Sequence, residues 1–255
     1  MNHWFDIVMI PLQIFIFLFT VYYFLIGFCG MWRRREVKIL TPKKTFAVIV
    51  AAHNEQAVIG QLIDNLQKLE YPKELYDIFV VADNCSDNTA AIARAGGAIV
   101  YERTSSVGKG KGFALEWMFN QLFAMERQYD AIVVFDADNL VHPRFLLEMN
   151  NRLLKGDKLI QGYLDAKNPY DTWVSGTFAI AFWVIDHIWH LAKTNIGLSS
   201  VLGGTGMCIA TDVLKRHGWG ATCLTEDMEF TMKSLVEGIK TCLLYTSPSP
   251  RDGAT

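Results

Sequence analysis

The chain has 255 residues, 51% of them hydrophobic, and a net charge of −2. That length holds one sizeable α/β domain plus a membrane segment, and that charge gives no support for a nucleic-acid partner. Five cysteines, at 29, 85, 208, 223 and 242, are scattered without a CxxC pair, which points to reduced thiols in a cytosolic domain and to no zinc site.

Residues 7–30 are twenty-four positions without a charge. At about 1.5 Å per helical residue they cross a hydrocarbon core of about 30 Å with some tilt, so residues 1–32 read as a transmembrane anchor. A cleaved signal peptide is the rival, but residues 1–6 carry no Lys or Arg, the apolar run is long, and no small-x-small cleavage site follows. Instead Arg33, Arg34, Arg35 and Lys38 follow, with Lys43 and Lys44 close behind, in a basic linker over 33–44. The positive-inside rule then places everything after Trp32 in the cytoplasm, with Trp32 at the interface.

Over 45–244 the pattern predicts one α/β domain. A buried-type strand spans 46–52, and 55–69 has apolar residues at helical spacing (Val58, Ile59, Leu62, Ile63, Leu66, Leu69) until Tyr71-Pro72 stops it. Strands follow at 76–82, 98–101, 131–135 and 158–164, separated by helices at 87–95, 111–129 and 143–154, the first of these opened by the cap-like Ser86. Regular alternation of this kind implies a mainly parallel sheet covered on both faces. The segment 173–193 is rich in Trp, Phe and Ile yet broken by Asp186, His187 and His190. It reads either as a helix on the membrane interface or acceptor rim, or as a core helix with two surface histidines. A strand at 207–210 and a helix at 226–237 close the domain. Residues 245–255 have turn residues and no periodicity, resemble translated adapter or vector sequence, and are expected to be non-native.

The most informative segment is Phe135-Asp136-Ala137-Asp138-Asn139, two carboxylates at the end of the apolar run Ala131-Ile132-Val133-Val134. Ligands of open α/β sheets gather at the carboxyl ends of strands. If strand geometry persists, Asp136 and Asp138 share a side, where hard oxygen ligands suit Mg²⁺ or Mn²⁺ holding a diphosphate; a strand stop and turn is the plainer reading. His53-Asn54-Glu55 and Asp83-Asn84-Cys85-Ser86-Asp87-Asn88 follow the first two strands, where a nucleotide would dock. Their carboxylates and amides can accept hydrogen bonds from a base edge and ribose hydroxyls, or else Asn54 and Ser86 simply cap helices. In Ser105-Ser106-Val107-Gly108-Lys109-Gly110-Lys111-Gly112 the spacing is neither a P-loop nor a dinucleotide fingerprint. Lys109 and Lys111 can still meet a diphosphate as point charges, the alternative being a flexible solvated loop. Thr225-Glu226-Asp227 opens the last helix, either as ordinary capping carboxylates or as a general base.

Taken together, Ala-His-Asn-Glu, Ala-Asp-Asn-Cys-Ser-Asp-Asn-Thr, Gly-Lys-Gly-Lys-Gly-Phe-Ala-Leu, Phe-Asp-Ala-Asp-Asn, Gly-Gly-Thr-Gly-Met and Thr-Glu-Asp, in that order after a transmembrane helix, resemble the membrane-bound family 2 glycosyltransferases. These include cellulose, chitin, hyaluronan and poly-N-acetylglucosamine synthases. The resemblance covers about residues 45–240. It implies a GT-A domain that transfers a sugar with inversion from a nucleotide sugar, a UDP-linked one, to a glycan or lipid acceptor at the cytoplasmic membrane face. It also implies roles: His53, Glu55, Asp83, Asp87, Lys111 and Asp136 for the nucleotide sugar, Asp136 and Asp138 for the metal, and Gly204, Thr205 and Gly206 for the acceptor side. Asp227, with Glu226, would be catalytic, Asp227 as the base. A catalytically inactive nucleotide-sugar-binding fragment is the rival reading. The Gln-x-x-Arg-Trp motif and further transmembrane helices of processive members do not occur, which is expected if the chain is truncated at its C-terminus.

Overall fold

The computed structural model of the chain describes residues 3–32, 39–220 and 225–244. The basic residues 33, 34, 35 and 38, Cys223 and the tail 245–255 lie outside the described residues.

Seven strands form one sheet: β1 (Phe46–Ala52), β2 (Tyr76–Asp83), β3 (Ile99–Arg103), β4 (Ala131–Asp136), β5 (Leu159–Gly162), β6 (Met207–Ala210) and β7 (Thr241–Leu244). Their spatial order is β3-β2-β1-β4-β6-β5-β7. All neighbours run parallel except β6, which is antiparallel to both β4 and β5. The predicted mainly parallel sheet is therefore present. The chain leaves β1 toward β2 and β3, then returns to place β4 on the other side of β1. Such a reversal opens a crevice at the carboxyl ends of the strands. Register brings the right residues there: Ala51 lies opposite Asp136, Ala52 opposite Ala82, and Asp83 opposite Arg103.

Strand residues alternate between two apolar layers, as a sheet buried on both faces requires. Phe46, Val48, Val50 and Val133 pack with Ile63 and Leu66 of α2 (Ile59–Leu66), Ala93 of α3 (Thr89–Ala95) and, further along the same face, Leu146 and Met149 of α5 (Phe145–Leu154). Ala47, Ile49, Phe79 and Ile132 face Leu115, Met118 and Phe119 of α4 (Lys111–Ala124), Val213 and Leu214 of α8 (Thr211–His217) and Phe230 of α9 (Glu226–Val236).

Several predicted boundaries move for identifiable reasons. The helix expected from 55 begins only at Ile59, because the amides of Glu55 and Gln56 bond to Thr89 Oγ1 and Asp87 Oδ2 of the next loop. Asn54 and Ser86 do not cap helices: Asn54 has φ +57° and its Oδ1 accepts the Ser86 amide at 2.8 Å, tying the two loops together. Helix α4 ends at Ala124 rather than at 129, since Tyr129 donates its hydroxyl to Asp77 at 2.5 Å and Asp130 accepts the Thr45 amide and the Lys44 ammonium. Neither α8 nor β7 was legible; each is short, and β7 is recognisable only by its parallel pairing to β5.

The segment expected over 173–193 is a continuous helical stretch: α6 (Trp173–Val184), a π-helical turn (Ile185–Leu191) and α7 (Ala192–Asn195). The core-helix alternative fails for α6, which buries no residue. The expectation of surface histidines fails too, because the wider π-helical turn carries Asp186, His187 and His190 inward. Burial, with Lys193 nearby, pushes His190 down to about 4, and its Nδ1 shares a hydrogen bond of 2.5 Å with the Ser200 hydroxyl. Along this stretch lies α1 (His3–Cys29), of which Phe5–Cys29 is long and apolar enough to cross a membrane by length and composition.

Candidate active site

The carboxyl ends of β1, β2 and β4 and the loop before β6 converge on one ion pair. Lys111, the first residue of α4, places its Nζ 2.5 Å from Asp136 Oδ1 and 2.6 Å from the carbonyl of Gly204. Asp136 is the last residue of β4. Its amide is held by Asn139 Oδ1 and Thr205 Oγ1, each at 3.0 Å, and the Thr205 hydroxyl also donates to Asn139. Strand geometry does not persist beyond Asp136, because the chain turns at once and the Asn139 amide bonds back to the Asp136 carbonyl. Asp138 therefore sits on a turn, exposed, rather than on the strand face shared by Asp136.

The loop before β6 owes its shape to glycine. Gly204 and Gly206 have φ of +75° and +60°, a region that side chains with a Cβ rarely enter. Buried Gln161 of β5 clamps it, accepting the Gly203 amide and donating to the Thr205 carbonyl, both at 2.8 Å. A Cβ on Gly204 would lie 3.3 Å from Asp227 Oδ2, so the bare glycine lets the Asp227 carboxylate approach the Lys111–Asp136 junction. Asp227 itself stands in the first turn of α9, where its Oδ1 accepts the Met228 amide; Glu226, half-buried, precedes it.

Two cavities flank this junction. One, of about 550 Å³, is bounded by Ala51, His53, Asp83, Asn84, Lys109 and Lys111. The other, of about 520 Å³, is bounded by Asp136, Asp138, His142, Thr205 and Gly206 and by residues of α6. In the first, His53 donates Nδ1–H to the Asp83 carbonyl at 2.7 Å, which fixes its tautomer. The Asp83 carboxylate is almost wholly buried and paired to Arg103 at 2.6 Å. Arg103 also donates to the Gly108 carbonyl at 2.8 Å, so one guanidinium anchors the glycine–lysine loop to β2. Glu55 and Asp87 stand outside this cavity. Asp87 accepts the Thr89 hydroxyl and amide and the Gln56 amide, and the Thr89 hydroxyl above all holds its carboxyl below the usual range. Burial raises the Cys85 thiol beside it.

The donor chemistry fits a hard divalent cation. Among the described residues, neither the second oxygen of Asp136 nor the Asp138 carboxylate has a protein partner, and no third His, Cys, Asp or Glu joins them. Two carboxylates with positions left for phosphate oxygens and water is the arrangement Mg²⁺ or Mn²⁺ takes at diphosphates. Sequence reasoning missed Arg103, Asn139 and Gln161, which support the site. Only the register of Arg103 opposite Asp83 could have marked the first in advance.

Comparison with solved structures identifies the fold. A mannosyltransferase from Pyrobaculum calidifontis, solved with GDP-Man and Mn²⁺, superposes with a TM-score of 0.68 at 17% identity, over 89% of this chain and 62% of that one. Glucosyl-3-phosphoglycerate synthase from Mycobacterium tuberculosis, solved with Mn²⁺, UDP and glucosyl-3-phosphoglycerate, superposes at 0.58 and 19% identity, over 87% and 80%. The architecture is the GT-A fold. The family model described as "Glycosyltransferase like family 2" matches residues 42–248, and the chain belongs to that family. It is also similar to a β-monoglucosyldiacylglycerol synthase of Trichormus variabilis, 29% identical over 197 residues, which are 73% of this chain. The match spans only 40% of that relative's length.

Proposed function

We propose that this domain transfers a glycosyl group from a UDP-sugar to an acceptor hydroxyl, with inversion, using Mg²⁺ or Mn²⁺. The observation that carries the reading is the Lys111–Asp136 pair standing between two cavities, with Asp227 on the far side of Gly204, whose carbonyl Lys111 also bonds. The nucleoside diphosphate lies in the cavity of His53, Asp83 and Lys109, and Glu55 stands just outside it, its amide held by Thr89. Asp87 braces the loop from behind. Asp136 and Asp138 would hold the cation, which would supply positive charge against that developing on the leaving diphosphate. Lys111, released in part from Asp136, faces the same phosphates as a fixed positive charge in a preorganised site. Asp227 takes the proton from the acceptor hydroxyl as it attacks the anomeric carbon, and Thr205 and Gly206 form the wall against which that acceptor rests. Glu226 supports the first turn from which Asp227 projects. Helix α1 crosses the membrane, and the basic linker after it keeps the domain on the cytoplasmic face.

Asp227→Asn tests this assignment. The variant should bind UDP with Mn²⁺ as the wild type does while releasing UDP from UDP-sugar at least about 100-fold more slowly, the contribution expected of a positioned base. Equal turnover would remove Asp227 from that role.

A further inference from the structure

The Lys111–Asp136 pair is divided between the two cavities. Lys111 bounds the one that holds His53 and Asp83, whereas Asp136 bounds the one that holds Asp138 and Thr205. Their contact, Nζ to Oδ1 at 2.5 Å, joins two side chains that are both part-exposed. Water screens such a pair, which leaves it weak enough to be exchanged. The other partner of the ammonium, the Gly204 carbonyl at 2.6 Å, is uncharged and belongs to the loop before β6. Lysine suits this arrangement because its ammonium is a point charge with several donors on a flexible stem, able to give up one partner while keeping another.

Each cavity pulls on the pair in its own way. On the nucleotide side, α4 starts at Lys111 with no side-chain cap, so its leading amides and the ammonium together favour an anion in the cavity that Lys109 also bounds. On the other side, a divalent cation on Asp136 and Asp138 would share a carboxylate with that ammonium. Like charges would then stand a few ångströms apart, and the charge of Asp136 is already answered in part by Lys111.

Resting on the transferase reading above, we propose that Lys111 makes cation binding at Asp136 and Asp138 conditional on the nucleotide. While its ammonium lies on Asp136, it weakens that carboxylate as a cation ligand. A diphosphate in the neighbouring cavity offers the ammonium a better anionic partner, and Lys111 turns to it with its tie to Gly204 retained, which frees Asp136. Lys111 is in this respect a positioning residue: it acts on the cation through Asp136. Nucleotide and cation are therefore taken up and released together. Linkage gives the proposal a signature, because the factor by which UDP tightens Mn²⁺ equals the factor by which Mn²⁺ tightens UDP. A Lys111 that never moved would repel the cation equally with and without UDP, so its removal would leave that factor unchanged. A Lys111 that changes partner repels the cation fully only without UDP, so its removal lowers the factor.

The test is the Mn²⁺ affinity of the detergent-solubilised full chain, read from the electron paramagnetic resonance signal of the free ion, without UDP and with saturating UDP. Without UDP, Lys111→Met should hold Mn²⁺ at least about tenfold more tightly than the wild type, the order of effect for removing a like charge a few ångströms away in a part-exposed site. With UDP the two chains should agree within about threefold, so the linkage factor falls. Lys111→Arg, which keeps the charge, should bind Mn²⁺ without UDP as weakly as the wild type. Lys111→Gln carries the same expectation as Lys111→Met and replaces it should that chain lose cooperative thermal unfolding. Mn²⁺ affinity that is unchanged or lower in Lys111→Met without UDP would overturn the proposal, the lower value being what a mere brace for Asp136 would give. A rise of equal size with and without UDP would overturn it too, while leaving the nucleotide site intact. A wild type whose Mn²⁺ affinity ignores UDP altogether would instead sink the transferase reading, and the proposal with it.

Discussion

Replacing Gly204 with alanine separates a role in folding from a role in chemistry. At φ +75° an L residue sits in the left-handed region, and an alanine there costs about 1–2 kcal/mol. In a domain of this size each kcal/mol lowers the melting temperature by roughly 2–4 °C, so a drop of a few degrees is expected. The new methyl would also stand 3.3 Å from Asp227 Oδ2 and 3.9 Å from Lys111 Nζ, tight enough to displace the carboxylate by some tenths of an ångström. Small misplacements of reacting groups cost up to about 100-fold in rate, which corresponds to roughly 2.7 kcal/mol of barrier. UDP release from UDP-sugar, measured beside thermal unfolding and UDP affinity, should therefore show a large fall in kcat with a small fall in Tm. A variant with the lower Tm but wild-type turnover would refute the argument. Gly204 would then be a turn residue only, and Asp227 would owe nothing to it.

Two further outcomes follow from buried charges. Arg103→Met leaves the Asp83 carboxylate buried and unpaired, so stability should fall by about 3–5 kcal/mol and UDP affinity with it; Asp83→Asn in the same chain should restore most of the stability, and no such recovery would mean that Arg103 acts chiefly through Gly108. Asp186 is pushed up to about 7 by burial, with Asp165 adding to the rise against the pull of the Leu164 amide. Between the ordinary carboxylate value and about 7 the folded chain holds its proton and the unfolded chain does not, so stability falls as pH rises through that window and levels off above it. Asp186→Asn should flatten this slope, which is about 1.4 kcal/mol per pH unit at most, in denaturant titrations from pH 4 to 8; an unchanged slope would show that Asp186 is already ionised in the fold.

Much of the domain is legible in the residues because its first half is locally consistent. The runs Phe46-Ala47-Val48-Ile49-Val50 and Ala131-Ile132-Val133-Val134-Phe135 read as buried strands by their shortness and β-branched content, and Ile59, Leu62, Ile63 and Leu66 keep helical spacing after the first of them. Boundaries fail where a side chain distant in sequence takes over the backbone, as Asp87 and Thr89 do at the start of α2. In the second half β5 and β6 are still readable as apolar runs, whereas β7, four residues long, gains its identity only from pairing with β5. At the site, Asp136 and Lys111 are visible as motif residues, but their direct pairing is not, nor is the way in which Thr205 and Asn139 fix the turn. Such contacts join residues between 25 and 93 positions apart, and no local pattern encodes them. Helix α6 is the opposite case: its composition shows at once that it is unlike the rest, but only the fold reveals that one of its stripes faces a cavity.

The central claim is a metal-dependent nucleotide site at Asp136 and Asp138. Calorimetric titration of the detergent-solubilised chain with UDP, with and without Mn²⁺, tests it most directly, with Asp138→Asn as the paired variant. Binding that requires Mn²⁺ and weakens at least about tenfold in the variant is the predicted result, since one of two hard oxygen ligands is lost. Binding indifferent to Mn²⁺, or equal in the variant, would contradict it.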